Sequence, residues 1–352
     1  MSKEIISRKD EHLDLCLQKP LVPRGVATGL GGYTLEYDAL PEIDLQDVST
    51  EKTILGKALA APLIIGAMTG GSERAKEINR RLANAAAKVG VGLALGSQRA
   101  MVADPGLTSS FAVREQVDGV PLLIGNIGAV QLNLGVDSGM IAEAMHAVKA
   151  DAINFHLNPL QEAIQPEGDT CFAGLWAKMG QTIETLELPC LVKEVGAGLS
   201  AKALQKLRRL PLAGVEVAGV GGTSWAKVES YRAPERSSQA VVGERLAGLG
   251  VPTAQSLPLC REAMGDRLVI ASGGIRNGMD IAVALALGAD AVALAQPLLV
   301  AAEEGEESLI HALETLVYEL RVISFCVGAK DIEELREATV FRADGPWPSF
   351  AQ

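Results

Sequence analysis

The chain is poor in aromatic residues, which fill only 4% of its 352 positions, and poor in cysteine, of which it has five. An aromatic-poor chain with 37 glycines and plentiful Ala, Leu and Val does not supply an aromatic-rich β-sandwich; it suits buried parallel strands with closely packed helices. The cysteines (Cys16, Cys171, Cys190, Cys260 and Cys326) are odd in number, far apart and without Cys-x-x-Cys spacing. Neither a disulfide framework nor a zinc site is expected of them, and a reducing cytoplasm is the default setting. Their ordinary role would be that of small buried hydrophobes. No apolar run is long enough to span a bilayer, and Met1-Ser2-Lys3-Glu4 opens no apolar signal core, so no membrane association is expected. Positive charge is also in deficit. Lys and Arg number 32 against 43 Asp and Glu, giving a formal net charge of -11. That balance excludes a broad nucleic-acid footprint but leaves room for a few focused cations around a small anion. An early Gly-x-Gly-x-x-Gly is missing too, which argues against an open dinucleotide-binding sheet.

What is present is a recurrence. With 48% hydrophobic residues the chain can fill a large core. Short apolar runs lie at 62–67 (PLIIGA), 89–96 (VGVGLALG), 121–126 (PLLIGN), 150–157 (ADAINFHL), 189–195 (PCLVKEV), 212–218 (LAGVEVA), 268–273 (LVIASG) and 289–295 (ADAVALA). Continuous rather than alternating hydrophobicity marks strands buried on both faces. Helical patterns fill gaps at 72–88, at 200–210 with Ser200 as N-cap, and at 278–287 with Gly288 as the stop. Eight strand–helix alternations predict an α/β fold, a (β/α)8 TIM barrel with an N-terminal extension; the alternative is an open doubly wound sheet. Residues 1–352 read as one domain, with 1–58 as the extension and 59–352 as the barrel. The stretch 219–250 is too long for an ordinary βα loop and reads as a long structureless segment on the functional face.

In a barrel the carboxyl ends of the strands converge on one site. There the chain offers Ala67-Met68-Thr69-Gly70-Gly71, Ser97-Gln98-Arg99, Asn126, His156 to Glu162, Lys193-Glu194, Gly221-Gly222-Thr223-Ser224-Trp225, Ser272-Gly273-Gly274-Ile275-Arg276 and Ala295-Gln296. Glycines after the seventh strand, followed by a helix, fit a phosphate site, although they also fit a tight turn. Flavin suits such a rim: small residues from Ala67 to Gly70 would lie beneath its ring, and Lys193 would set a cation beside N1. A core salt bridge from Lys193 to Glu194 or Glu216 is the plainer reading. Ser7 and Asp10 resemble a capping box, after which Arg8 and His12 would share a helix face. Spacing alone favours a solvated charged helix there, with a lid or a neighbouring subunit's clamp on an anion as the more specific reading. The loop from His156 to Glu162 brings imidazole, amide and carboxylate together: His156 for an anionic oxygen, Gln161 to position a reacting group, Glu162 for Mg2+ shared with substrate phosphates. Trp225 and Glu229, four apart, would form an aromatic wall beside a carboxylate if helical. His146 and His311 read as structural or exposed.

Taken together, Arg8-Lys9-x-x-His12, Ala67-Met68-Thr69-Gly70-Gly71, Gly96-Ser97-Gln98-Arg99, His156-x-Asn158-Pro159-Leu160-Gln161-Glu162, Val192-Lys193-Glu194-Val195-Gly196, Gly222-Thr223-Ser224-Trp225 and Ser272-Gly273-Gly274 resemble type 2 isopentenyl diphosphate isomerase, in order along nearly the whole chain. The stretch 233–244 and the C-terminal tail match no motif. The resemblance implies interconversion of isopentenyl and dimethylallyl diphosphate with FMN, Mg2+ and a reductant such as NADPH, the reduced flavin acting as catalyst and not oxidant. It implies FMN contacts from Ala67, Met68, Thr69, Ser97, Asn126, Lys193, Thr223, Gly273, Gly274, Ala295 and Gln296. It implies substrate contacts from Arg8, Lys9, His12, Ser97, Gln98, Arg99, His156, Asn158 and Gln161, with Mg2+ on Glu162. Gln161, Glu229, His156 and Trp225 would serve the chemistry, Gln161 and Glu229 as proton shuttles. A homo-oligomer, tetramer or octamer, is implied as well. The rival within the same barrel class is an FMN-dependent 2-hydroxy-acid oxidase, which needs a His base after the sixth or seventh strand; none is present there. A non-enzymatic phosphate-binding barrel is the second rival.

Overall fold

The computed structural model describes residues 2–345, with side chains from Arg8 onward; Met1 and positions 346–352 of the expected domain lie outside the described residues. Each predicted apolar run coincides with a strand: β1 Leu63–Ile65, β2 Gly92–Ala94, β3 Leu123–Gly128, β4 Ala152–His156, β5 Cys190–Lys193, β6 Gly214–Glu216, β7 Leu268–Ala271 and β8 Ala291–Leu294. Neighbours pair in parallel, and Val292 opposite Leu63 joins β8 to β1 and closes the barrel. β3 continues past the predicted end at Asn126; the other runs outlast their strands because the exits are buried as well, Leu95 and Val217 among them.

Successive side chains on a strand alternate faces, and the packing follows. Ile64, Ala94, Ile124, Ala152, Leu191, Ile270 and Ala293 form one apolar cluster inside the barrel. Leu63, Ile65, Leu93, Leu123, Ile153, Val192 and Val292 join a larger cluster shared with the helices. The helix Glu73–Val89 starts on Ser72, which accepts from Ala75 N, and Ala201–Leu207 starts on the expected cap Ser200. Among the described residues no helix is long and apolar enough to cross a membrane.

The extension divides its work. The hairpin Lys52–Ile54 with Lys57–Leu59 leads into β1 and contributes Ile54 and Leu59 to the inner cluster. Tyr33–Leu35 pairs antiparallel with Val340–Arg342 near the chain's other end. The arm helix Ser2–Gln18 crosses the carboxyl mouth. Two expectations are corrected here. Ser7 lies inside the arm helix rather than capping it, and Asp10 instead accepts from Ser72 Oγ at 2.6 Å. The segment 219–250 is not structureless: it holds helices Trp225–Arg232 and Ser238–Arg245, capped by Ser224 and Ser237. Each is only eight residues long, too short to show a clear apolar period. Lys227 of the first is buried and lies 3.6 Å from Glu244 of the second.

Candidate active site

Strand register builds the floor of the site. Gly128 lies opposite His156, His156 opposite Lys193 and Lys193 opposite Glu216, so one rung across β3 to β6 carries an imidazole, an ammonium and a carboxylate. Lys193 Nζ sits 3.4 Å from Glu216 Oε1 and donates to Glu194 O at 2.6 Å. Glu216 also accepts from Ser272 Oγ at 2.9 Å and Asn154 Nδ2 at 3.2 Å. The expected core salt bridge thus forms with Glu216, and both of its partners also line the cavity. Glu194 is spent elsewhere, on the backbone N–H groups of Val195, Gly196 and Ala197.

Above the rung is a cavity of about 230 Å3. One water needs only about 10–15 Å3 on this measure, so the space suits a ligand of many heavy atoms. One end is walled by backbone. Gly273 has φ +103°, and a Cβ there would lie 2.2 Å from Gly219 O; a Cβ on Gly222 would lie 2.5 Å from Gly274 N. The loops after β6 and β7 thus touch main chain to main chain, tied by Thr253 Oγ1 donating to Gly273 O at 2.6 Å. Thr223, Gly274, Ala295, Gln296, Ala67, Met68 and Thr69 complete this end, and the buried Thr69 Oγ1 has no protein partner. Arg276 lines it too, with Nη1 on Ile275 O.

The other end is cationic. Arg8, Lys9 and His12 of the arm meet Ser97, Arg99, His156 and Asn158. The arm is fastened by Arg74 to Asp14 at 2.6 Å and by Gln296 Nε2 to Cys16 O at 3.3 Å. It folds over its own chain's cavity, so the site needs no arm from a neighbour, and the solvated-helix reading fails: Arg8 and His12 side chains are each 13% exposed. Lys9 Nζ donates to Ser97 O at 3.1 Å; burial, with Arg8 and Arg99 nearby, pulls its pKa down to about 7. Such crowded cations gain when an anion enters. Arg99 rests on Asp169 at 2.6 Å, which also accepts from Gln131 Nε2 at 3.2 Å.

His156 Nδ1 lies 2.9 Å from Asn126 Oδ1. Burial and the cations Lys193, Lys9 and Arg99 pull its pKa down to about 3, so the ring is neutral. Gln98 requires a correction. It is fully buried off the cavity wall, with Oε1 accepting from Asn126 N at 2.9 Å, so it braces Asn126 instead of touching a ligand.

Glu229 lies on the predicted helix with Trp225, and Trp225 lines the cavity, but Glu229 has no exposed surface and does not. It sits directly behind Gln161, accepting from Gln161 Nε2 and His12 Nε2 at 3.0 Å each and from Arg232 Nη1 at 2.7 Å. Burial alone would raise its pKa; these donors hold it below the usual carboxylate value. Glu162 lines the cavity with both oxygens engaged, Oε1 by Asn158 Nδ2 at 2.8 Å and Oε2 by Asp169 N at 2.7 Å. Its pKa is raised by burial, against those two bonds. Beside it the buried Asn158 Oδ1 has no partner. No group of three or more His, Cys, Asp or Glu that could hold a metal occurs among the described residues. The remaining predicted site residues all line the cavity. Sequence reading missed Asp169, Gln165, Glu167 and Arg232; the one signal was a polar stretch running on beyond Glu162.

Residues 131–342 match the family model described as FMN-dependent dehydrogenase. Curated relatives named isopentenyl-diphosphate delta-isomerase include one from Synechococcus sp., 45% identical over 95% of this chain and 96% of its own. Others come from Deinococcus radiodurans, 45% identical over 95% and 97%, and Mycobacterium marinum, 44% identical over 96% and 97%. Among solved structures, a mandelate oxidase variant with an FMN adduct superposes with a TM-score of 0.64 at 19% identity, covering 97% of this chain and 99% of that one. At that identity the likeness shows the fold alone.

Proposed function

The chain belongs to the type 2, FMN-dependent isopentenyl-diphosphate delta-isomerases, and from that premise we propose that it interconverts isopentenyl and dimethylallyl diphosphate at this cavity by adding and removing a proton. The observation that carries the proposal is the pairing, in one cavity, of a glycine-walled end with a cationic end backed by a buried carboxylate.

The glycine-walled end suits FMN. Close main-chain approach at Gly222, Gly273 and Gly274, the unpartnered Thr69 Oγ1 and the Lys193 ammonium provide small surfaces, a free hydroxyl and a cation where a flavin phosphate and ring need them. Ala67, Met68, Ser97, Asn126, Thr223, Ala295 and Gln296 are the remaining contacts in this reading. When bound and reduced, FMN supplies an electron-rich surface that stabilises a carbocation. Arg8, Lys9 and Arg99 neutralise the diphosphate and keep it from leaving. Glu162, with the unpartnered Asn158 Oδ1 beside it, would hold an Mg2+, which would supply further positive charge against the diphosphate.

Gln161 is the group through which the buried carboxylate communicates with the cavity. Its Nε2 is fixed by Glu229, and Oε1 accepts from Asn158 Nδ2 at 3.2 Å, so the amide cannot rotate freely. A neutral amide is a poor base, whereas Glu229 behind it is an anion able to take an N–H proton from Gln161 as Gln161 Oε1 takes the proton that carbon loses. Trp225 and the apolar faces of Leu13 and Leu299 exclude water from a cation that water would quench. NADPH as the reductant, a cytoplasmic setting and a homo-oligomeric assembly, tetramer or octamer, complete the proposal and rest on the family.

The test is anaerobic incubation of FMN-loaded, reduced protein with isopentenyl diphosphate and Mg2+, assayed for dimethylallyl diphosphate. Net oxidation of lactate or glycolate without isomerisation would overturn the proposal in favour of a 2-hydroxy-acid oxidase.

A further inference from the structure

We propose that Arg232 is a positioning residue for the proton transfer: one guanidinium fastens both the N-terminal arm and the loop after β4 to the Glu229 carboxylate, so that the lid and the proton acceptor assemble as one unit. The inference rests on the isomerase reading of the cavity and concerns a residue that does not line it.

The geometry is that of a three-way fork. Arg232 ends the helix that carries Trp225 and Glu229, and its side chain is 11% exposed. Nη1 donates to Glu229 Oε2 at 2.7 Å, Nε to Glu11 Oε2 of the arm at 3.0 Å, and Nη2 to Glu167 Oε1 at 2.8 Å. Three carboxylates from three separate segments thus meet one planar cation. A guanidinium presents five N–H donors in fixed directions; an ammonium on a flexible stem cannot hold three such partners at fixed angles. Each branch leads to the cavity by one further step. Glu11 neighbours His12, whose ring packs edge-on against Trp225 at 5.1 Å. Glu167 also lies 3.8 Å from Arg8. Glu229 holds Gln161.

The charge balance around Glu229 shows why the fork matters. The arm presents His12, Arg8 and Cys16 to it, the segment after β4 presents Gln161 and Gln165, and its own helix presents Arg232. With its amide oxygen toward the guanidinium, Gln165 bridges Glu229 Oε1 and Arg8 Nη1 at 3.2 Å each. Burial lowers the His12 pKa, against its bond to Glu229, and Arg8 is shared with Glu167 and Gln165. Arg232 is therefore the cation bonded directly to Glu229. A fully buried carboxylate deprived of that partner takes up a proton. A protonated Glu229 cannot take the N–H proton from Gln161 as Gln161 Oε1 receives the proton that leaves carbon and the C–H electron pair forms the new double bond.

The test compares wild type with Arg232→Gln and Arg232→Lys, each loaded with FMN. Three readouts are taken: FMN affinity by fluorescence, kcat and KM for isopentenyl diphosphate from pH 5 to 9, and the infrared band of protonated carboxyl groups without substrate. FMN affinity is expected to stay within about two-fold, because Arg232 does not line the cavity. For Arg232→Gln, kcat at pH 7 falls by about 100-fold, the lower part of the range for losing a general base. Its acid limb moves to higher pH, and a protonated-carboxyl band appears that Arg232→Gln/Glu229→Gln lacks. Arg232→Lys restores the position of the acid limb while leaving KM raised, because the charge survives but the fork to Glu11 and Glu167 does not. An unshifted acid limb with no new carboxyl band overturns the proposal, as does loss of FMN binding in step with kcat. If wild type itself fails to isomerise, the functional reading falls while the infrared comparison still decides what Arg232 does to Glu229.

Discussion

The two ends of the cavity are made of different material. At the glycine end the wall is main chain, and its shape depends on side chains being absent. At the cationic end the wall is side chain, drawn from the arm, the turn after β2 and the loop after β4, and held by ion pairs. The first is rigid because there is no room to move. The second is ordered only as long as its charges stay matched. Substitutions at the two ends should therefore fail in different ways, and that contrast can be broken.

The largest effect is expected at Gly273→Ala. The backbone there sits at φ +103°, and the new Cβ would meet Gly219 O at 2.2 Å. Left-handed strain and overpacking together cost about 2–5 kcal/mol. FMN binding in a fluorescence titration should be lost or cut more than 30-fold, with a lower urea midpoint. If Gly273→Ala binds FMN as wild type does, the glycine end is not a rigid wall.

This contrast also explains what was legible in sequence. Strands buried on both faces announce themselves as unbroken apolar runs, so the barrel could be read directly. Glycines after β6 and β7 could be read because few residues tolerate that backbone. The arm could not be placed: Arg8 and His12 on one face fit a solvated helix equally well until Ser72, Arg74 and Gln296 are seen to anchor it. Glu229 was rightly joined to Trp225 by spacing, but spacing does not show that a carboxylate is screened behind Gln161. Gln98 looked like its neighbours Ser97 and Arg99; only the turn after β2 rotates it inward onto Asn126 N. Glu167 and Asp169 showed only as part of a polar stretch beyond Glu162, because a surface carboxylate and one that holds a site arginine look alike in a sequence.

A middle-sized effect probes the charges themselves. Lys9 titrates near pH 7. Below that value it is an ammonium and attracts an anion; above it the amine is neutral and an entering diphosphate must first bring a proton. The sign is fixed: affinity for inorganic pyrophosphate should fall with rising pH relative to Lys9→Met, which removes the titration but shares the ligand's own ionisation. From pH 6 to 8 the relative loss should be about tenfold, about 1.4 kcal/mol for one pH unit above the pKa. Calorimetry in buffers of different ionisation heat should show up to about one more proton taken up at pH 8 by wild type than by Lys9→Met. Equal pH dependence in the two proteins would remove Lys9 from the anion site.

The smallest effect is the most telling about how the cationic end waits for its ligand. One short loop puts Asp169 on Arg99 at 2.6 Å and Glu167 on Arg8 at 3.8 Å, so each of two arginines aimed at a diphosphate already has a carboxylate. An entering diphosphate must displace Asp169 from Arg99 or share the guanidinium with it. The pair is partly exposed, at 30% and 19%, so its worth is at most about 1 kcal/mol. Asp169→Asn keeps the backbone N–H that Glu162 needs and removes only the competing charge. Metal-free affinity for inorganic pyrophosphate should then rise by up to about five-fold, while Arg99→Ala should lower it in either background. Weaker binding in Asp169→Asn would reverse the interpretation: the carboxylate would be aiming Arg99 at the ligand, and the cationic end would be as preorganised as the glycine end, by ion pairs in place of close-packed backbone.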